Sequence, residues 1–487
     1  MQDKAGNQFF AVFPSVMLPM FLAVVDQTIV ASALPAIASS LGGVERVSWV
    51  VVAYLLATTV AAPVYGQLRD KIGGRRMMFV ALAIFMASSL LCAVSRSIEM
   101  LAFARILQGL GGGGLMTLSQ ALVGEAVPPL ERAKYQGYLA AVAVTSSVFG
   151  PVAGGFLTEH IGWRSVFLVN LPIALVALWL TARTEPRPVS GEPWVFDTRG
   201  LLWFTGFIVP VLLAVEQAQR MTAGAGVWFI LLLGVGGYCL KQLLEQEASA
   251  PHPLLQFDLL RRPAIWRSNA MAACHGAALV SLITYLPLYF HVSRGASAAG
   301  TGLLLLPMMI GIGVGSMLTG RAVSRTGLTM IFPSVGMIVA VFSLLLLSIW
   351  VGQLGTWQLN VLLLMIGLSM GTVMAVVQVT VQRAAGNSQL GAAAASIQFS
   401  RSVGAAVGTA LVGAVLFATL ALADAEVAGM FGRIVQADTS VLSSLPPTRQ
   451  FMVQTAIVHA FGMAFFMIAV FAAGGLALAW SHPERHL

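Results

Sequence analysis

The sequence predicts an all-α integral membrane protein with fourteen transmembrane helices. Of its 487 residues, 58% are hydrophobic and only 9% are charged, against about 25% in soluble proteins. The mean hydropathy is +0.86, and the apolar residues are grouped in runs long enough to cross a bilayer. The net charge of +8 does not indicate nucleic-acid binding, because the Lys and Arg residues cluster in short loops between these runs.

An even number of spans places both termini on one side of the membrane. Most of the 27 Lys and Arg residues then fall on that side, which predicts that it is the cytoplasm. The first apolar run is too long for a signal-peptide core and lacks a convincing cleavage site, so we expect a retained first helix. The fourteen predicted spans lie near residues 9–33, 48–68, 77–95, 99–122, 136–158, 164–182, 200–218, 226–245, 267–291, 301–320, 330–350, 357–381, 392–418 and 452–479.

Two loops of similar sequence suggest that the chain is built from two related halves. GQLRDKIGGRR (66–76) follows the second span, and GRAVSRTG (320–327) follows the tenth. If the two loops are equivalent, each half contributes six spans and two extra spans lie between them. The sequence therefore predicts an N-terminal six-helix bundle over 1–190, an inserted two-helix hairpin over 191–250, and a C-terminal six-helix bundle over 251–487.

Asp26 is an acid within the first apolar run, where an ionisable group is costly and suggests a function. Counted from the predicted span ends, Asp26 and Arg105 both lie roughly 10 Å below the outer surface, so they can form a pair. Burial favours the protonated carboxyl and a nearby arginine favours the carboxylate, so opening and closing of a cleft would move a proton. The structural alternative is that Asp26 bonds within its own helix and never titrates.

Three further ionisable residues are candidates for a second proton site. Glu216 lies near the outer end of the seventh span, and the alternative is a wetted interfacial acid. His275 and Arg401 have similar depths on the inner side and are expected to meet across the second half. His275 is alternatively a satisfied core histidine, and Arg401 is alternatively a group that binds helix carbonyls or a lipid phosphate.

The loop after the second span is a candidate gate. Asp70 can cap a helix end, and neighbouring arginines can bridge to other elements. Glu125, at the inner end of the fourth span, is placed to meet Arg75 or Arg76; its alternative is a solvated loop acid. Small residues and a proline in the fifth span, which let helices bend and approach, are also assigned to gating: Gly150, Pro151, Gly154 and Gly155.

A central cavity is expected between the two halves. Side chains on the core helices that are candidates to line it are Tyr54, Gln108, Gln120 and Phe149, for which ordinary packing is the alternative. No metal site or disulfide is expected, because the three cysteines lie in apolar segments without ligand spacing. The glycine run 111–114 lies inside a span and no Walker-type Gly-Lys-Ser/Thr occurs, which argues against an ATP-driven pump.

Together these residues resemble the major facilitator superfamily, and its fourteen-helix drug:proton antiporters in particular. Ser324 stands where an acid would complete the second loop motif, Ser165 replaces an aromatic residue, and Ser32 stands where Asn is frequent. The segments that carry the resemblance span most of the chain: VVDQTIVASALPAI (24–37), the loop 66–76, Arg105 with Gln108 and Gly109, Gly150-Pro151 with Gly154-Gly155, 285–307 and 397–408.

The resemblance implies a secondary active transporter and not an enzyme. It implies proton-coupled multidrug efflux of hydrophobic, cationic compounds by alternating access, with Asp26 as the main proton carrier and no cofactor beyond the proton gradient. The expected location is a bacterial cytoplasmic (inner) membrane, with both termini cytoplasmic and the protein a monomer or part of an efflux assembly. The alternatives are a proton-coupled exporter of a fatty acid or siderophore, a symporter, and a non-transporting sensor or scaffold, which would not need the deep acid.

Overall fold

The computed structural model is helical throughout the residues that it describes, which are 2–42, 46–47, 49–128, 131–184, 196–217, 223–250, 253–254, 257–296, 298–423, 431 and 446–484. The helices are α1 Gln2–Leu41, α2 Trp49–Ile72, α3 Gly74–Ala93, α4 Ile98–Ala126, α5 Arg132–His160, α6 Ser165–Leu168, α7 Asn170–Arg183, α8 Thr198–Gln217, α9 Ala223–Ser249, α10 Phe257–Leu260, α11 Pro263–Arg294, α12 Ala298–Thr326, α13 Ile331–Trp350, α14 Thr356–Ala385, α15 Leu390–Ala423 and α16 Pro447–Trp480. A short 3₁₀ turn, Asn387–Gln389, precedes α15.

Twelve helical segments of the described chain are long and apolar enough to cross a membrane, with α6 and α7 joined as one segment, Ser165–Arg183. Helix α4 is not among them, and the apolar part of α8 is the shorter Thr198–Ala214. Arg105, Gln108, Gln120 and the glycines lower the hydropathy of α4. The glycines also let it pack closely on α2: a Cβ at Gly109 would stand 2.5 Å from the carbonyl oxygen of Tyr54. The predicted number of fourteen spans stays a prediction.

The first helix is longer than hydropathy indicated. The predicted span ended near residue 33, whereas α1 continues to Leu41. Hydropathy follows the apolar content of a window, but the end of a helix is set by backbone hydrogen bonds, which polar residues such as Ser39 also make. The depth counted for Asp26 from the end of its helix was therefore based on a wrong boundary.

One side of the helical assembly, here called the N-terminal face, contains the start of α1. The ring of Phe13 in α1 contacts the ring of Tyr138 near the start of α5, with 6.4 Å between centroids. Arg132, the first residue of α5, donates from Nη2 to Oδ1 of Asn387, just before α15, over 2.9 Å. The ends of α2, α4, α12, α14 and α16 lie on the same side, and the opposite side is here called the distal face.

Close helix crossings join the first and second parts of the chain near the N-terminal face. A Cβ at Gly137 of α5 would stand 2.7 Å from the carbonyl oxygen of Ser316 in α12, and one at Gly66 of α2 would stand 2.6 Å from that of Gly391 in α15. Towards the distal face, by contrast, Phe149 and Phe156 of α5 are 51% and 59% exposed. These close approaches of α5 to α12 and of α2 to α15 therefore lie near the N-terminal face.

The helices α8 and α9 pack against each other, with Gly206 of α8 facing Cys239 of α9. Phe204 of α8 also packs against Phe399 of α15, with 5.3 Å between ring centroids. This contact places α8 beside the crossing of α2 and α15. The division of the chain into bundles at residues 190 and 250 remains a prediction.

Candidate functional site

A fully buried ion pair joins α1 to α4. Both Asp26 and Arg105 are 0% exposed, and Nη1 of Arg105 donates to Oδ2 of Asp26 over 2.5 Å. The structure thus brings together the acid and the base that the sequence placed at a common depth. A charge at this depth is stabilised only by a partner, because water is excluded from it.

Two side-chain amides complete the surroundings of the carboxylate. Nε2 of Gln108 donates to Oδ1 of Asp26 over 2.9 Å and also lies 2.8 Å from Oγ of Ser89. Nδ2 of Asn170, the first residue of α7, donates to the same Oδ1 over 2.7 Å. Both carboxylate oxygens are therefore bonded, and α1, α3, α4 and α7 meet at one group.

Arg105 is held on its other sides by the backbone and by an aromatic ring. Its Nε donates to the carbonyl of Val50 over 3.1 Å, and its Cζ lies 4.0 Å from the centre of the Tyr54 ring, within the range of a cation–π interaction. The hydroxyl of Tyr54 donates to the carbonyl of Ala23 over 3.1 Å. In this structure the ring of Tyr54 is buried against Arg105, and its place in the cavity lining stays a prediction.

The predicted cavity residues Gln108 and Gln120 are likewise buried in this structure, and their place in the cavity lining stays a prediction. Gln108 binds Asp26, while Oε1 of Gln120 accepts a bond from Nε2 of Gln378 over 2.6 Å. The backbone carbonyl of Gln120 accepts from Gln382 at 3.0 Å and from Gln136 at 3.2 Å. Gln120 thus links α4 to α5 and α14 through hydrogen bonds between uncharged groups. This contact, here called the seal, lies between the ion pair and the N-terminal face.

Of the predicted cavity residues, Phe149 is the one that the structure leaves half exposed, at 51%. Its ring contacts the ring of Phe21 of α1, with 5.8 Å between centroids. Phe149 therefore lies at the junction of α1 and α5 and can contact a molecule from outside the protein.

The loop motif after α2 reaches across to the second part of the chain. Oδ1 of Asp70 accepts the backbone N–H of Gly391 over 2.9 Å, and Oδ2 accepts that of Ala392 over 3.0 Å. Asp70 thus caps the N-terminus of α15, where free N–H groups and the helix dipole favour an acid. Nη1 of Arg69 also binds Oδ1 of Asp70 over 2.6 Å.

The arginine that binds Glu125 differs from the prediction. Nη2 of Arg69 donates to Oε2 of Glu125 over 2.5 Å, whereas Arg75 donates to the carbonyls of Thr181 and Ala182 at the end of α7, over 3.2 and 2.6 Å. Arg69 belongs to α2, which packs on α4, while Arg75 and Arg76 open α3 beyond a turn at Gly73 with a positive φ of 104°. That turn directs Arg75 towards α7, and Arg76 is exposed.

Two of the four small or proline residues assigned to gating in α5 allow contact with α1. A Cβ at Gly150 would overlap the side chain of Thr28, and one at Gly154 would stand 2.5 Å from the carbonyl oxygen of Ile29. Gly155 faces open space, and Pro151 is exposed within an unbroken helix. The close approach therefore occurs within one turn of Asp26.

The candidates for a second proton site have separate partners. Nε2 of His275 donates to the carbonyl of Met370 over 3.1 Å, and Nη2 of Arg401 donates to Oε1 of Gln398 over 3.1 Å. The two residues lie close together, since Gly276, next to His275, packs against Arg401, but their hydrogen bonds go to different neighbours. Glu216 falls in α8, but its side chain lies outside the described residues.

Sequence reasoning missed Asn170 and Ser89 as members of the site. Both are uncharged polar residues, which occur throughout apolar helices, so composition gives no signal for them. Gln108 had a usable signal, because it follows Arg105 by three positions and therefore shares its helix face. Within the described chain, His, Cys, Asp and Glu side chains form no group of three or more that could hold a metal ion.

A helical membrane protein with a buried acid–arginine pair between helices is organised like a secondary transporter. The model of the major facilitator superfamily matches residues 16–409. The chain therefore belongs to the major facilitator superfamily, and it is a transporter and not an enzyme.

Named relatives and a solved structure agree with this family. The chain is 31% identical to the multidrug transporter protein MdtP of Bacillus subtilis over 407 residues. The aligned region covers 82% of this chain and 74% of that protein. It is 28% identical over 494 residues to the efflux pump dotC of Dothistroma septosporum, covering 98% and 84% of the two chains. The proton:xylose symporter XylE shares the fold with a TM-score of 0.63 at 14% identity, over 99% of this chain and 97% of that chain.

Proposed function

We propose that this transporter exports hydrophobic compounds across a bacterial cytoplasmic membrane in exchange for protons. The names of MdtP and dotC support multidrug efflux. The observation that carries proton coupling is the sealed Asp26, whose charge is balanced by Arg105 alone among the described ion pairs. No cofactor beyond the proton gradient is included in this proposal, and the protein acts as a monomer or within an efflux assembly.

Protonation of Asp26 supplies the coupling step. A neutral carboxyl no longer balances the charge of Arg105 and accepts weaker hydrogen bonds from Gln108 and Asn170, so the contacts that hold α1, α4 and α7 together loosen. Helix α4 carries both Arg105 and Gln120, which lie about 22 Å apart along the helix at 1.5 Å per residue. A shift of α4 therefore reaches the seal with α14.

The basic residues at the N-terminal face, among them Lys71, Arg75 and Arg76, support the proposal that this face is cytoplasmic. If α4 and α8 cross the membrane beside the twelve apolar segments, fourteen spans place both termini there. The contacts of Asp70 and Gln120 then close the protein towards the cytoplasm. Protons would reach Asp26 from the distal side and leave after this seal opens.

Direct competition between a proton and a cationic substrate for Asp26 would need a rearrangement of this site. In the sealed site both carboxylate oxygens are bonded, to Arg105 on one side and to Gln108 and Asn170 on the other. The coupling proposed here therefore runs through the positions of the helices. It does not require a substrate cation to touch the acid.

The test uses proteoliposomes with an acidic lumen and two probes of fixed charge, the cation ethidium and a pyrene alkyl sulfonate. An antiporter accumulates at least one of them in the lumen, whereas a symporter accumulates probes only when the lumen is alkaline. Asp26→Asn is expected to abolish accumulation, because this side chain cannot carry a proton. Unchanged accumulation in this variant would overturn the proposal.

Glu99→Gln is the matched control, since it makes the same chemical change in an acid outside the site. Glu99 lies in the first turn of α4, is exposed, and pairs with the exposed Arg46. This variant should transport like the wild type. Thermal unfolding of both variants separates a loss of coupling from a loss of folding.

A further inference from the structure

Arg401 is a cation within α15 that forms no ion pair with an acid among the described residues. The sequence contains no Asp or Glu between Asp258 and Asp424, nor any within 447–480, so α11 to α16 carry no carboxylate. Within the described residues, the hydrogen-bond partner of Arg401 is the neutral Oε1 of Gln398. The deep acid of the first part, Asp26, is already bonded to Arg105.

Arg401 lies away from the outward side of α15. The outward side is marked by Val407 and Leu411, which are exposed. At about 100° per residue, Arg401 is displaced by about 120° from Val407. Arg401 lies on nearly the same side of the helix as Gln398. Nε2 of Gln398 lies 3.6 Å from Sδ of Met116 in α4. Arg401 is therefore close to the junction between the two parts of the chain.

The backbone of Arg401 is fixed, while much of its side chain is available. A Cβ at Gly276 of α11 would overlap the carbonyl of Arg401, so α11 and α15 are in close contact at this residue. The guanidinium has five N–H donors, and one bond to Gln398 leaves most of them without a protein acceptor in the described chain. The residue is only half buried, so these donors can be reached from outside the protein.

We propose that Arg401 binds an anionic group of the transported compound. The substrates would then be amphiphiles in which a carboxylate, sulfonate or phosphate is attached to an apolar body. A guanidinium binds such groups through charge-assisted and often bidentate hydrogen bonds, and the charge of an arginine without an acid partner in the described chain disfavours cations. This assignment rests on the proposed export function and names its substrate class.

The test compares three pyrene probes with the same butyl linker and different ends: a sulfonate, an alcohol and a trimethylammonium. Equilibrium binding is measured by fluorescence on the purified full chain in neutral detergent. The wild type should bind the sulfonate at least about tenfold more tightly than the ammonium, because only the anion pairs with Arg401. Equal or tighter binding of the ammonium overturns the proposal.

Variants separate recognition from packing. Arg401→Gln should weaken sulfonate binding about tenfold or more and change alcohol binding less than about twofold, while Arg401→Lys should lie between. Arg325→Gln is the control, since Arg325 is exposed near the end of α12, and it should bind all three probes like the wild type. A similar loss for all three probes in Arg401→Gln indicates a structural role and overturns the proposal. If Arg401→Gln does not fold, the proposal is judged by the order of affinities for the three probes in the wild type and in Arg401→Lys.

A lipid phosphate offers Arg401 the same chemistry as a substrate anion. Phosphatidylglycerol is therefore added to the binding assay, and sulfonate accumulation is measured in proteoliposomes. Displacement of the sulfonate by this lipid, together with no accumulation, identifies a lipid site and overturns the substrate assignment. Proton-driven accumulation of ethidium alone overturns this inference and leaves export intact. Tight sulfonate binding without proton-driven accumulation of either probe supports recognition by Arg401 and overturns the proposed coupling.

Discussion

Arg105 in the first part of the chain and Arg401 in the second are both membrane-embedded arginines with a glutamine three residues away. Arg105 is completely enclosed and bonded to an acid and to Gln108. Arg401 is half buried and bonded to the amide of Gln398. The comparison teaches that an enclosed acid and its amide neighbours take up the donors of an arginine, whereas an arginine without an acid partner in the described chain keeps most of its donors unbonded.

Gln108 and Gln398, the glutamines beside these two arginines, also differ in how fully they are hydrogen-bonded. Gln108 bonds to Asp26, Ser89 and Arg105 at once, so it is part of a closed network. Gln398 bonds to Arg401 and to the weakly accepting sulfur of Met116. A closed network is costly to break because each lost partner leaves a buried group unsatisfied.

The largest expected effect comes from replacing the two arginines by methionine. Arg105→Met leaves Asp26 buried without a cation and should lower the free energy of unfolding by about 3–5 kcal/mol. Arg401→Met removes a cation that has no acid partner among the described residues, so its effect should be close to zero or stabilising. Denaturant unfolding in detergent, followed by circular dichroism, measures both.

Combining Arg105→Met with Asp26→Asn provides the control for this pair. The double variant no longer contains an uncompensated charge, so it should regain part of the lost stability. Equal destabilisation by Arg105→Met and Arg401→Met would break the comparison, since it would show that Arg401 has an unrecognised structural partner.

A smaller effect is expected from replacing the two glutamines by leucine. Gln108→Leu removes donors to Asp26 and an acceptor from Arg105, and should cost about 1–3 kcal/mol. Gln398→Leu removes one bond from a half-buried arginine and should cost less than about 1 kcal/mol. The same unfolding measurement applies, and a larger loss for Gln398→Leu than for Gln108→Leu would contradict the distinction between closed and open networks.

The smallest effect is expected from removing the hydroxyl of Ser89, which bonds to Gln108 in the closed network. Ser89→Ala removes one partner of Gln108, which keeps its bond to Asp26, so the loss should be about 0.5–1.5 kcal/mol. Ser88→Ala is the matched control in the same helix, because the hydroxyl of Ser88 bonds to the carbonyls of Ile84 and Phe85 within α3. If the two variants lose the same stability, Ser89 does not belong to the network.

The sequence identified the charged members of the candidate site but not its polar ones. Asp26 and Arg105 stand out because a charge in an apolar run is rare and costly. Asn170 and Ser89 do not stand out, because an amide or hydroxyl in a helix can bond locally at little cost. Asp70 was placed at a helix end, but its partners are backbone N–H groups about 321 residues away, which no side-chain pattern reveals.

Helix packing also decided surroundings that the sequence did not indicate. Tyr54 and Gln120 were predicted to line the cavity, and in this structure close crossings of α4 with its neighbours bury both side chains. The arginine that reaches Glu125 is Arg69, because α2 lies beside α4. Which of several nearby arginines meets an acid depends on helix orientation, and the sequence pattern does not contain that orientation.

By itself the sequence determined a helical membrane protein, the resemblance to its family, the excess of basic residues in certain loops and the absence of acids from α11 to α16. These properties are local, because the free energy of placing each residue in a bilayer depends mainly on that residue and its neighbours in sequence. The tertiary structure decided which charges are paired. Asp26 and Arg105 are 79 positions apart, and only the packing of α1 on α4 brings them into contact while Arg401 stays without an acid partner among the described residues.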